Sequence, residues 1–131
     1  MRPRILIVDD DPLFREFLRD VLPTADYDLV EAADGVEALD EVNQVVPDVI
    51  LLDLVLPVLD GYEVFHALKD HPVASATPII FVTARTEPEL SRLAAQAGAF
   101  AYLPKPVRAE TLVATITLAL RARRRPPEES S

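Results

Sequence analysis

Three aspartates, a threonine and a lysine in this sequence could do chemistry together. Asp9 and Asp10 follow the apolar run Arg4 to Val8. Asp53 closes the run DVILLD, Thr83 closes Ile79 to Thr83, and Lys105 follows Ala101 to Leu103. Crowded carboxylates repel one another and are tolerated only beside a counter-charge. An all-oxygen donor set suits a hard cation such as Mg²⁺, which takes one or two carboxylates and keeps waters. Mg²⁺ in turn neutralises a phosphoryl group during transfer. Lys105 can set a point charge against one phosphoryl oxygen, and Thr83 can hydrogen-bond another. The chemistry these five residues suit is phosphoryl transfer to a carboxylate nucleophile.

Singly, each has a plainer role, because an Asp at a strand end is commonly a turn or cap residue. Whether they meet depends on the elements that carry them. Strand-like and helix-like runs alternate five times along the chain. After the first strand, Asp11 caps a helix with Pro12 in its first turn, whose inward face is Phe14, Phe17, Leu18 and Val21. Asp28 to Ala32 is a second strand, Asp34-Gly35 a turn, and the next helix turns Leu39 and Val42 inward. Asp48 to Asp53 and Ile79 to Thr83 are apolar on both faces, as central parallel strands require. Asp60-Gly61 reads as a turn before a helix with Val64, Phe65 and Leu68 inward. A fourth helix presents Leu90, Leu93, Ala94 and Ala97 and ends at Gly98, where a left-handed cap is wanted. The fifth, from about Arg108, buries Leu112, Ile116, Ala119 and Leu120. Such βα units imply a parallel sheet with helices on both faces. Ligands of such sheets bind beyond the carboxyl ends of the strands, where all five residues fall.

The 131 residues suit one domain, expected over residues 1–124, with residues 125–131 as a disordered tail and the basic run from Arg121 as a frayed, solvated helix end. The net charge of −9 argues against direct nucleic-acid binding. Cysteine is absent, which excludes disulfides and thiol chemistry. The opening MRPRILIV runs straight into Asp9 and does not read as a secretory signal, and no apolar run is of membrane length, so a cytoplasmic protein without membrane contact is expected. Asp11 reads as a cap rather than a ligand, and His66 and His71, with no partner at ligand spacing, as surface residues that are solvated or locally bonded.

Four segments resemble those of response-regulator receiver domains: ILIVDDDP, LLDLVLPVLDGYEV, IIFVTA and AYLPKP, in family order. The resemblance covers about Arg4 to Arg123. It implies an α/β, flavodoxin-like (βα)5 fold, a doubly wound parallel sheet of strand order 2-1-3-4-5. It implies that Asp53 accepts a phosphoryl group from a sensor histidine kinase or histidine phosphotransfer protein. Mg²⁺ would be bound by Asp10, Asp53 and the Val55 carbonyl, with Asp9 acting mainly through metal-bound water. Lys105 would bind the phosphoryl group, held by a cis peptide to Pro106. Thr83 and Tyr102 would report the event to the surface of the fourth helix, fifth strand and fifth helix, where an unknown downstream protein would dock. On this basis the chain is a switch rather than an enzyme acting on other molecules, a monomer or a weak phosphorylation-dependent dimer. With no output domain in view, it is a stand-alone regulator or part of something larger.

The sequence departs from the family in two places. Leu56 stands where methionine is common. Phe100-Ala101 replaces an acidic pair frequent in winged-helix regulators, which puts their charged dimer interface in doubt. Three rival functions remain. Haloacid-dehalogenase-like phosphatases also use an Asp nucleophile with Mg²⁺, but carry a general acid two residues on, where this chain has Val55. A flavin module of the same fold needs a phosphate-cradling loop after the first strand, where this chain has Asp9-Asp10-Asp11. The third is a receiver-shaped scaffold that works without phosphorylation.

Overall fold

The computed structural model describes residues 2–124, so the tail expected at 125–131 lies outside the described residues. The strands are β1 (Arg4–Val8), β2 (Asp28–Ala32), β3 (Val49–Leu52), β4 (Ile79–Thr83) and β5 (Ala101–Pro104). The helices are α1 (Pro12–Val21), α2 (Gly35–Gln44), α3 (Gly61–Lys69), α4 (Pro88–Gln96) and α5 (Ala109–Arg124), with a 3-10 turn at Ala74–Ala76. All strands pair in parallel, in the order β2-β1-β3-β4-β5. This is the doubly wound order that the resemblance implies.

Alternation along the strands divides the core in two. Leu6, Val8, Ile50, Leu52, Ile79 and Phe81 pack with Ala38 and Val42 of α2, Val64, Phe65 and Leu68 of α3, and Ala94 of α4. Ile5, Ile7, Val49, Leu51, Ile80 and Val82 pack with Leu18 and Leu22 at α1 and with Leu112, Ile116 and Ala119 of α5. Successive strand side chains face opposite sides, and both sides are covered, which is why these strands read as unbroken apolar runs. Each large side chain so buried contributes about 1.5–3 kcal/mol.

Several local expectations are corrected. Asp34-Gly35 and Asp60-Gly61 are not free turns. Asp34 and Asp60 are helix N-caps, accepting from the backbone N–H of Glu37 and of Glu63, and the glycines are the first helical residues. Glu63 also reaches back to the Asp60 N–H, completing a reciprocal capping box. In α4 only Ala94 is fully buried. Leu90 is half-buried, and Leu93 and Ala97 are exposed, because α4 lies over the sheet edge against β5 and only a narrow stripe meets the core. Leu120 is half-buried rather than buried. The basic run at the end of α5 is helical to Arg124. Arg123 ties it to Asp48, Nε to Oδ1 at 3.5 Å, and cations there complement the helix dipole. The other signals hold: Asp11 caps α1 by accepting from the Leu13 N–H at 3.0 Å, and Gly98 closes α4 at φ +100°.

Candidate functional site

Parallel register builds one rim. The Asp53 N–H donates to the Val8 carbonyl at 3.0 Å, one residue before Asp9, and the Asp9 N–H donates to the Ala32 carbonyl at 3.0 Å. Thr83 pairs with Pro104, and the Lys105 N–H donates to the Thr83 carbonyl at 2.8 Å. Sheet hydrogen bonding therefore carries all five residues to one edge. One carboxylate oxygen from each of Asp9, Asp10 and Asp53 lies within 4.8 Å of the others.

Lys105 joins this cluster from β5. Its Nζ donates to Asp9 Oδ2 at 2.6 Å and to Asp53 Oδ2 at 3.0 Å. The second oxygen of each acid is held by backbone: Asp9 Oδ1 accepts from the Asp11 N–H at 2.9 Å, and Asp53 Oδ1 from the Val55 N–H at 3.0 Å. Asp9, Asp53 and Thr83 are buried, whereas Asp10 is exposed. Burial pushes the Asp9 carboxyl above its ordinary value, against the hydrogen bonds from Lys105 and the Asp11 backbone. Burial would lower the Lys105 ammonium, but its hydrogen bonds to Asp9 and Asp53 outweigh that and hold it above the ordinary lysine value. The Lys105-Pro106 peptide is cis. The convergent donors are three carboxylates, with no nitrogen or sulfur ligand among them. That set fits a hard divalent cation of the Mg²⁺ kind.

The remaining residues singled out in the sequence are placed as follows. Thr83 Oγ1 accepts from the Arg85 N–H at 3.3 Å. The Tyr102 ring is half-buried against Phe81, centroids 6.1 Å apart, and its hydroxyl donates to the Arg85 carbonyl at 2.8 Å. A cavity of about 70 Å³ lies beside that ring, lined by Ala94, Ala99 and Phe100 among others. His71 is locally bonded and, among the described residues, not part of a ligand cluster: its Nδ1 accepts from the N–H groups of Val73 and Ala74, and its Nε2 is 3.1 Å from Asn43 Oδ1. It orders the loop before β4, away from the rim.

Three residues that shape the rim were not read in the sequence as part of it. Arg15 donates to the Asp9 carbonyl at 2.7 Å and to Glu31 at 3.0 Å, locking the end of β1 to β2. A Cβ on Gly61 would come within 2.2 Å of the Asp53 carbonyl oxygen and 2.5 Å of the Leu54 Cα. Only a glycine lets α3 start against the backbone of the acceptor segment. Phe14 faces Lys105, its ring centroid 4.2 Å from Nζ. The helical spacing that marks Phe14 as inward gives no sign that its neighbour is a cation.

Residues 5–117 match the family model of the response regulator receiver domain. The chain belongs to that family. As a receiver domain, it is 39% identical over 129 residues to the DNA-binding response regulator MtrA of Mycolicibacterium smegmatis, covering 98% of this chain and 55% of that protein. It is 41% identical over 131 residues to the response regulator MprA of Mycobacterium bovis, covering 100% of this chain and 55% of that one. The chain thus spans about half the length of these curated relatives. Among solved structures, the Vibrio cholerae chemotaxis protein CheY4 superposes with TM-score 0.84 at 34% identity, over 92% of this receiver domain and 100% of that chain. A CheY-like receiver domain protein from Methanospirillum hungatei gives TM-score 0.84 at 30% identity, over 100% of both chains. Among the described residues no helix is long and apolar enough to cross a membrane.

Proposed function

We propose that this receiver domain accepts a phosphoryl group on Asp53 from a histidine kinase or phosphotransfer protein and signals it through Thr83 and Tyr102. The observation that carries this is the convergence of Asp9, Asp10, Asp53 and Lys105 at one sheet edge, with the Asp53 side chain held by its neighbours. Asp9, Asp10, Asp53 and the Val55 carbonyl would hold Mg²⁺, which neutralises phosphoryl charge when bound. The Val55 N–H fixes Asp53 Oδ1, and so orients the carboxylate. A bond forms between an Asp53 oxygen and phosphorus as the donor's bond to phosphorus breaks, its electron pair leaving with the donor. Lys105 follows the new charge from the carboxylates to a phosphoryl oxygen.

Thr83 then turns its hydroxyl toward the phosphoryl group, which adds negative charge beside it. Tyr102 sits one strand over, bonded to the β4–α4 loop through the Arg85 carbonyl, with the cavity beside its ring as room to move. The surface that changes comprises α4, β5 and α5, where Leu93, Phe100 and Leu118 are exposed apolar residues. Exposed apolar side chains on that surface fit contact with a downstream protein. Incubation with acetyl phosphate and MgCl₂ should add one phosphoryl group by intact mass and shift the Tyr102 aromatic NMR signals. Asp53→Asn should abolish both changes. An Asp53→Asn protein that labels like the parent would refute the acceptor assignment, and a labelled parent with unmoved Tyr102 signals would refute the output route.

A further inference from the structure

We propose that Phe14 is a positioning residue that holds the Lys105 ammonium at the rim during phosphoryl transfer; the inference rests on Asp53 being the acceptor. Lys105 Nζ lies 4.2 Å from the Phe14 ring centroid, well inside the roughly 6 Å reach of a cation–π attraction. The same ammonium donates to Asp9 and Asp53, and its side chain is only 18% exposed. The ring therefore covers a side of the ammonium that the carboxylates do not. Phe14 is itself braced by Phe17, centroids 5.8 Å apart. Both rings, with Ala84, Pro106 and Val107, wall a cavity of about 460 Å³ that Lys105 also lines.

The two kinds of partner constrain Lys105 differently. A hydrogen bond to a carboxylate is directional and is lost when the ammonium moves. Attraction to a ring face is diffuse, so it persists while Nζ moves from Asp9 and Asp53 toward a phosphoryl oxygen. Phe14 can thus keep the cation desolvated and in reach throughout the step in which the Asp53 oxygen–phosphorus bond forms and the donor's bond breaks. It touches neither donor nor acceptor and acts through Lys105.

Initial rates of phosphorylation by acetyl phosphate, with MgCl₂ in excess, test this on the full chain. Phe14→Leu keeps apolar cover and removes the ring. Its maximal rate should fall about threefold to tenfold, with the half-saturating donor concentration unchanged, and Phe14→Tyr and Phe14→Trp should restore the rate. A parental rate in Phe14→Leu, or equal impairment in all three variants, would overturn the proposal. The parent alone gives a second check. Lys69 and Lys105 are its only lysines, so the Lys105 ε-methylene NMR signal is easily assigned. It should be displaced by the ring current and return to an ordinary position in Phe14→Leu, and an ordinary position in the parent would overturn the contact. A parent that gains no phosphoryl group would overturn the acceptor assignment as well, whereas a labelled parent matched by Phe14→Leu overturns the role of Phe14 alone.

Discussion

The two lysines of the chain stand at opposite ends of the sheet in opposite electrostatic states. Lys105 lies beyond the carboxyl end of β5, and Lys69 ends α3 beside Pro78 and Gly98 near the amino ends of β4 and β5. Each ammonium faces a phenylalanine ring, Phe14 at 4.2 Å and Phe65 at 5.5 Å. Lys105 also holds two carboxylates, which lift it above the ordinary lysine value against the effect of burial. Lys69 forms no ion pair among the described residues, and burial lowers it. One residue type on similar aromatic ground is therefore drawn into a charge cluster at one end and merely tolerated at the other. Strand register makes the difference: the acids of the carboxyl edge converge on Lys105, whereas those of the amino edge, Asp28 and Asp48, are paired with Arg4 and Arg123.

The largest test of this contrast removes each cation in turn. Lys105→Met leaves the buried Asp9 and Asp53 facing each other without a counter-charge, and should lower stability by about 3 kcal/mol in metal-free buffer. Lys69→Met should stay within about 0.5 kcal/mol of the parent. Urea unfolding measures both, and equal losses would break the contrast.

The glycines sharpen it at the next scale. Gly61 adjoins the rim and is closed by space, since its Cβ would meet the Asp53 carbonyl oxygen at 2.2 Å. Gly98 adjoins Lys69 and is open, with the nearest atom 3.6 Å away, but its φ of +100° is strained for any other residue. Gly61→Ala should cost about 3 kcal/mol or more through overpacking and also slow phosphorylation. Gly98→Ala should cost about 1–2 kcal/mol and leave the phosphorylation rate alone. Thermal unfolding beside labelling rates would separate the two. Slower labelling in Gly98→Ala would show that the ends are coupled.

The smallest effect is in pH dependence. The lowered folded-state value of Lys69 means that, between it and the ordinary 10.5, the unfolded chain binds the more protons. Stability from this group therefore rises with pH across that window. Relative to Lys69→Met, the parent should gain stability as pH climbs toward 10.5. Lys105 runs the other way, its contribution present below the ordinary value and lost as pH rises through its raised one. Urea midpoints at stepped alkaline pH would show this. A parent–variant difference that is flat with pH would mean Lys69 is not desolvated.

Most of the fold and the rim was legible because both follow from strand patterning. The runs from Arg4, Asp48 and Ile79 read as strands, the latter two as buried central ones, and the residues at or just past their ends named the acidic edge. The resemblance supplied the strand order, which periodicity alone does not fix. Boundaries were harder where one residue type serves two purposes. Asp-Gly reads equally as a turn or as a cap with the first residue of a helix, and Asp34 and Asp60 took the second course because a helix N–H lay within reach. The α4 stripe was overestimated because periodicity shows which face is apolar, not how much of it the sheet edge covers. Arg15, Gly61 and Phe14 stayed hidden for a shared reason: their roles are contacts between distant segments, with Glu31, Asp53 and Lys105, and no local pattern encodes those.

The most direct measurement of the acceptor assignment is reductive trapping. After incubation with acetyl phosphate and MgCl₂, borohydride converts an aspartyl phosphate to a stable alcohol, and peptide sequencing by mass spectrometry locates it. The expected result is a single trapped residue at position 53, absent when Mg²⁺ is chelated. Trapping at Asp9 or Asp10, or a parent with no trapped residue, would contradict the role assigned to Asp53.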